Sequence, residues 1–185
     1  MKRSDIFTNE IALIQDQYLK DKVTTFLDEE VPDYFWKVAA SSSGKYHPNF
    51  ASGEGGLVRH TQMVVAVLKE IKAIQEISDD VFDCLVVACL IHDTFKHGYK
   101  DVGFTVNEHP VIAAESWAMF VKNDMDFYKN EIIYTCVLRH MGQWGPYIAK
   151  MEKTLYNGRG TMDFYCSIVH LCDYIASRKF FDKFS

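Results

Sequence analysis

Seven histidines are spread along the 185-residue chain, and most stand where a side chain can do chemistry. His92-Asp93 closes the most apolar stretch of the sequence, and a charged pair there is costly to bury unless something coordinates it. His60 follows the apolar start of a predicted helix at Leu57, and His109 directly precedes Pro110. His140 ends a predicted helix, and Asp173 lies inside the last apolar one. These are element ends or core-facing slots, where side chains from separate helices can converge. Imidazoles mixed with carboxylates suit Fe, Mn, Co, Ni or Zn, whereas Mg and Ca prefer all-oxygen cages. A lone histidine on an apolar face is more often a hydrogen-bonded core residue, so spacing alone does not prove a site.

The elements that must position these residues are helical. Apolar residues recur at helical spacing from Thr8 to about Leu27, with Thr8 or Asn9 as the expected N-cap. Pro32 opens a shorter predicted helix through Ala40. Ser41 to Gly56 is rich in Ser and Gly and reads as a loop. Helices are then predicted over Leu57 to Ile77 and Val81 to Asp93, the latter capped by Asp79 or Asp80. The Val81 helix is apolar almost all round, which makes it central. His97 to His109 is a polar connection, in which His97 is expected to be solvated beside Gly98. Further helices are expected over Pro110 to Lys122, Lys129 to His140 and Thr161 to Phe180, with an irregular stretch from Gly142 to Gly160. No convincing strand pair appears. The chain reads as an all-α helical bundle.

Length and composition narrow the class of protein. A chain of this size fits one domain and buries enough surface to fold without disulfides or a structural metal. Hydrophobic residues at 48% and charged residues at 24% are an ordinary globular balance. The net charge of −5 argues against a broad grip on long nucleic acid but leaves room for a small phosphorylated ligand. Cys84, Cys89, Cys136, Cys166 and Cys172 form no CxxC pair and sit among apolar neighbours, as buried reduced thiols do. No signal-peptide core follows Met1-Lys2-Arg3, and no apolar run reaches a membrane span, so a soluble cytoplasmic protein is expected.

The order His60, His92-Asp93, Asp173 resembles the His…His-Asp…Asp signature of the HD superfamily of metal-dependent phosphohydrolases. With His109 and His140 in between, it is similar to the six-ligand version found in HD-GYP-type phosphodiesterases and HD-fold diiron oxygenases. Gly55-Gly56-Leu57-Val58-Arg59-His60-Thr61, preceded by Ser41 to His47, is similar to the entry segment of HD domains in 3′-to-5′ exoribonucleases and certain relaxases. His92-Asp93-Thr94-Phe95-Lys96 resembles the His-Asp-x-x-Lys variant of the core motif. The resemblance spans roughly Ala39 to Arg178. It implies one HD domain, with residues 1–40 as N-terminal helices and 41–178 as the metal-site core. Two departures matter. Gly98-Tyr99 is followed by Lys100 rather than proline, which argues against cyclic di-GMP specificity, and no oligonucleotide-binding domain accompanies the motif.

The resemblance further implies that His60, His92, Asp93 and Asp173 hold one divalent first-row metal (Mn, Fe, Co, Ni or Zn). Asp93 would bridge to a second metal held by His109 and His140. Such a pair activates water and neutralises phosphoryl charge, while protein cations cradle the remaining oxygens. Lys96 is the first choice for that role, its alternative being a solvated helix-end lysine. Lys45, His47 and Arg178 are further substrate-binding candidates, whereas Arg159 reads better as a plain loop residue. His170 shares a helix face with Asp173 and can orient the ligands from behind. Trp144 and Tyr46 either stack a nucleobase or pack locally. The expected activity is hydrolysis of a nucleotide or of a short or cyclic oligonucleotide phosphoester. The alternative classes are an HD-fold diiron oxygenase acting on a small polyol or phosphonate, and a non-catalytic nucleotide-binding module.

Overall fold

The helical periodicities of the sequence become seven α-helices, and no strand forms among the described residues of the computed structural model, which are 2–41, 47–122, 124–145 and 160–183. They are α1 (Thr8–Ile11), α2 (Gln17–Glu29), α3 (Gly56–Ile74), α4 (Asp79–Ile91), α5 (His109–Val121), α6 (Phe127–Arg139) and α7 (Gly160–Ala176). Short 3-10 turns join or flank them. No described helix is long and apolar enough to cross a membrane.

α4 is the axis of the bundle. Every residue from Val81 to Ile91 is buried, because this helix has no polar face to offer solvent. α3, α6 and α7 pack around it, and α2 closes a further side. Fully buried Leu85, Leu90 and Ile91 on α4 each contribute about 1.5–3 kcal/mol of hydrophobic stabilisation. The one charge in the middle of this helix, Asp83, has its Oδ2 accepting from the backbone N–H groups of Gln15 and Asp16, at 3.0 and 2.7 Å, while its Oδ1 is buried without a hydrogen-bond partner.

Several element boundaries differ from the sequence expectation. The stretch expected as one helix from Thr8 breaks after Ile11 and restarts at Gln17, where the Asp16 carboxylate accepts from the Leu19 N–H. Neither Thr8 nor Asn9 caps it, since the Thr8 hydroxyl donates to the Asp5 carbonyl instead. The Pro32 segment forms only a 3-10 turn over Asp33–Trp36, too short to nucleate an α-helix. α4 has Ser78 rather than Asp79 or Asp80 at its N-cap position. The last helix ends at Ala176, and Lys179–Lys183 continues as a 3-10 turn. All five cysteines are buried and free, as expected.

The entry to α3 shows why the Gly-Gly-Leu-Val-Arg-His segment takes its form. Gly55 sits at φ +69° ahead of the helix, and a Cβ on Gly56 would fall 2.2 Å from the Ala51 carbonyl oxygen. Only glycine lets the preceding loop approach so closely. Arg59 then fastens that loop by donating to the carbonyls of Phe50, Ser52 and Glu54 at 2.5–2.9 Å. The adjacent His60 is thereby held on a rigid first turn and points inward with no exposure.

Candidate metal centre

Five of the six candidate ligands come from helix ends or helix interiors around α4, and three share one local device. Each of the three rings turns back on the carbonyl three residues before it in the chain. His92, capping α4, places Nδ1 2.8 Å from the Cys89 carbonyl, and His140, capping α6, places Nδ1 2.7 Å from the Val137 carbonyl. His109, opening α5, does the same with Val106 at 2.6 Å. A carbonyl only accepts, so each Nδ1 must carry the proton and each Nε2 is left with a bare lone pair.

Those lone pairs converge. Nε2 of His109 and Nε2 of His140 stand 3.2 Å apart, an arrangement of two acceptors that repels unless a cation lies between or beside them. The Asp93 carboxylate separates two groups of imidazoles. Its Oδ1 lies 3.1 Å from His109 Nε2 and 3.6 Å from His140 Nε2, and its Oδ2 lies 3.5 Å from His92 Nε2 and 3.9 Å from His60 Nε2. Asp173 reaches in from α7, with Oδ1 3.0 Å from His60 Nε2 and 3.8 Å from His92 Nε2. Despite these short contacts, His92 Nε2 and Asp93 Oδ1 are buried without a partner in hydrogen-bond geometry. A buried polar atom left so costs about 1–3 kcal/mol. A coordinated metal ion would satisfy these atoms.

Ligand atoms within 4.8 Å of one another form three groups: His60, His92 and Asp93; His92, His140 and Asp173; and Asp93, His109 and His140. The buried His/Asp clusters can therefore hold metal ions, and their donor set fits a first-row transition metal. His60 alone lacks a backbone anchor, since its Nδ1 is buried without a partner and the His47 ring packs edge-on against it at 4.9 Å.

The electrostatics follow from burial and from the mutual approach of these groups. Burial pushes the imidazoles of His60 and His140 below their ordinary value, so both stay neutral and ready to ligate. His47 is driven down to about 3 by burial, with the Lys96 and His60 charges adding to it. Burial lowers His92 as well, but Asp93 and Asp173 more than offset it and leave this ring above its usual value. Burial raises the carboxyls of Asp93 and Asp173, yet their cationic and imidazole neighbours outweigh it and hold both below the ordinary range.

These shifts carry a stability forecast for the EDTA-treated protein. His60, His140 and His47 have folded values below their unfolded ones. The unfolded chain therefore binds more protons as pH falls below the usual imidazole value near 6.5, and the stability they contribute is lost there. His92 works the other way, contributing below its unfolded value and losing that contribution as pH rises through its folded one. The large drop of His47, to about 3, sets the net sign together with His60 and His140. Asp93 and Asp173 contribute above the ordinary carboxyl value and add a second loss below about pH 4. Tm at about pH 5.5 should lie below Tm at about pH 7.5, and calorimetry showing a flat or inverted profile would refute the assignment.

A cavity of about 330 Å³ opens onto the cluster, within the roughly 300–1,000 Å³ range of small-molecule sites. Asp93, His109, His140 and Asp173 form its floor, and Lys96, His47 and Arg178 line it. Lys96 is nearly buried, and its Nζ lies 2.5 Å from Asp93 Oδ2, so it is not the solvated helix-end lysine of the alternative reading. Lys45, Tyr46 and Arg159 lie outside the described residues. His170 lines the cavity as well, with its Nδ1 2.7 Å from the His140 carbonyl oxygen. Gly142, at φ +56°, makes that possible, since a Cβ there would meet the His170 ring at 2.4 Å.

Two site features depart from the sequence reading. His97 is 4% exposed rather than solvated: its ring stacks on Tyr34 at 5.0 Å and 16°, and its Nδ1 lies 2.7 Å from Asp101. The polar loop folds back because Tyr34 accepts the His97 backbone N–H and donates to the Gly98 carbonyl. It remains outside the ligand groups. Tyr174 and Ser177, which also line the cavity, were not singled out from the sequence, although both follow Asp173 within about one helical turn.

The chain has no significant match to a protein-family profile, a curated protein or a solved structure.

Proposed function

We propose that this chain is a metal-dependent phosphohydrolase of the HD-domain type, cleaving a phosphoester of a nucleotide or of a short or cyclic oligonucleotide. The observation that carries the reading is the two-faced environment of Asp93. One carboxylate oxygen faces the His109–His140 pair, the other faces His92 and His60, and a lysine ammonium stands beside it at the cavity floor. In this reading His60, His92, Asp93 and Asp173 hold one divalent cation, and Asp93, His109 and His140 hold a second. When bound, such a pair brings a water's proton loss to near neutral pH and neutralises charge on phosphoryl oxygens.

The protein's own part is positioning and charge. Asp93 is kept anionic by Lys96 and the imidazoles around it, so it arrives as a ligand without needing to shed a proton. Lys96 is anchored by its neighbour and aims its remaining N–H groups at the cavity, where a phosphoryl oxygen would be held. Arg178 also lines the cavity, over Tyr174, and His47 lines it next to His60. Burial of the cluster keeps bulk water from competing for the ligands and strengthens each charge interaction.

The deciding experiment incubates Mn-loaded protein with a panel of nucleotides, cyclic dinucleotides and simple phosphoesters, and reads products by mass. Release of phosphate or a nucleoside monophosphate, abolished by EDTA, is the expected result. Turnover of a polyol or phosphonate only in the presence of oxygen would replace this reading with the diiron oxygenase. A second expected result concerns Lys96. Lys96→Met keeps the packing of the stem, retains bound metal, and lowers kcat/KM by roughly 10- to 1000-fold, the scale of one lost transition-state charge contact. Unchanged kinetics would reduce Lys96 to a partner of Asp93 with no role towards substrate.

A further inference from the structure

Beside the cluster the cavity has a second wall of different chemistry. Trp144, in the turn after α6, and Tyr174, on α7, lie with their rings parallel to within 2° and centroids 5.7 Å apart. The Arg178 guanidinium stands over the Tyr174 ring, 4.4 Å from its centroid. The His170 ring packs against Trp144 at 5.6 Å, tilted by 51°, and ties this layer to the His140 carbonyl. Two large rings in such an arrangement would be ordinary core packing if they were buried. They are not: Trp144 is 56% and Tyr174 37% exposed, and both line the cavity rather than the core. An exposed layer of two offset-stacked rings, with a guanidinium over one of them, presents π-surface and a cation onto which another flat ring can stack.

We infer that Trp144, Tyr174 and Arg178 form a ring-binding subsite, which selects phosphoesters carrying a planar heteroaromatic group such as a nucleobase over those carrying only a sugar. The placement follows from chain connectivity. Tyr174 directly follows Asp173 on α7, and Trp144 ends the 3-10 turn Gly142–Trp144 just after His140, so the segments that bring ligands to the cluster also bring the platform to its rim. A substrate with its phosphoryl group over Asp93 and Lys96 would lay its base on the layer, with Arg178 at the junction of the two regions. The inference rests on the phosphoester reading for the reacting end, but ring binding is measurable apart from turnover.

Adenosine carries the ring and no phosphoester, and so serves as a probe that cannot be consumed. Titrated into the full metal-loaded chain, it should quench tryptophan fluorescence saturably, while ribose leaves the signal unchanged. Trp144→Phe should lose the quench yet keep adenosine affinity by calorimetry within a few-fold. Trp144→Ala and Tyr174→Ala should weaken that affinity roughly 5- to 100-fold with bound metal unchanged, the scale of one lost base–aromatic stack. In turnover, AMP should be preferred over ribose 5-phosphate, and the preference should collapse in Trp144→Ala. Undiminished adenosine binding in both alanine variants, or the absence of any adenosine binding, would overturn the subsite. Equal hydrolysis of AMP and ribose 5-phosphate by the wild type would also overturn it while leaving the phosphohydrolase reading in place. Adenosine binding that depends on Trp144, with no phosphoester hydrolysed, would uphold the subsite and remove the hydrolase reading.

Discussion

Asp93→Ala is expected to lower kcat/KM by at least ~1000-fold and to strip metal from the protein, because its two oxygens face different pairs of imidazoles, Oδ1 His109 and His140 and Oδ2 His92 and His60. The substitution does two things at once. It removes a ligand oxygen from each half of the cluster, and it deprives Lys96 of the anion 2.5 Å away. Breaking a buried ion pair from one side costs about 3–5 kcal/mol, enough to threaten folding in its own right. Asp93→Asn separates the effects, since the amide keeps a carbonyl acceptor for Lys96 at nearly the same volume while losing the charge that binds cations. It should fold, with a circular dichroism spectrum like that of the wild type, and still lose metal and activity. Elemental analysis beside a kinetic assay reads both. Activity of Asp93→Asn within tenfold of the wild type would show that the His-Asp pair is structural and that the cluster is not where chemistry occurs.

The second large effect is stoichiometric. Replacing either His109 or His140 with Ala should take bound metal from two per chain towards one and lower activity by about 100-fold or more. The physical ground is the facing pair of lone pairs at 3.2 Å, both enforced by the Nδ1 contacts to Val106 and Val137. Removing one imidazole leaves Asp93 Oδ1 with a single nitrogen nearby, too few donors to retain a cation, whereas His60, His92 and Asp173 still surround Oδ2. His97→Ala separates a ligand from a merely buried histidine. It should leave both metals in place and lower stability by about 1–3 kcal/mol, through loss of the Tyr34 stack and the Asp101 contact. Full metal content in both His109→Ala and His140→Ala would reduce the centre to one metal and make those two residues contacts for substrate.

His92 and Asp93 illustrate how much of the site was legible without coordinates. Local patterns dictate local outcomes: an apolar run with no polar face must be buried, so the charged pair that ends it must be buried too. The same reasoning placed His109 and His140 at helix boundaries, and both now occupy them. The free, buried state of the cysteines and the all-helical class among the described residues likewise followed from composition and periodicity.

What one-dimensional pattern could not supply was every outcome that depends on a partner distant in the chain. His97 looked solvated because its sequence neighbours are polar, yet Tyr34, more than sixty residues away, folds the loop back over it. Tyr174 and Trp144 come from separate elements, and their parallel layer exists only once α6 and α7 are packed. The division of Asp93 into two faces has the same origin. Residue types and order determined that imidazoles and carboxylates would sit at helix ends. Only the packing of α3, α6 and α7 around α4, with α5 against α6, decided which lone pair meets which oxygen, because those distances are set by contacts between helices and not by spacing along one.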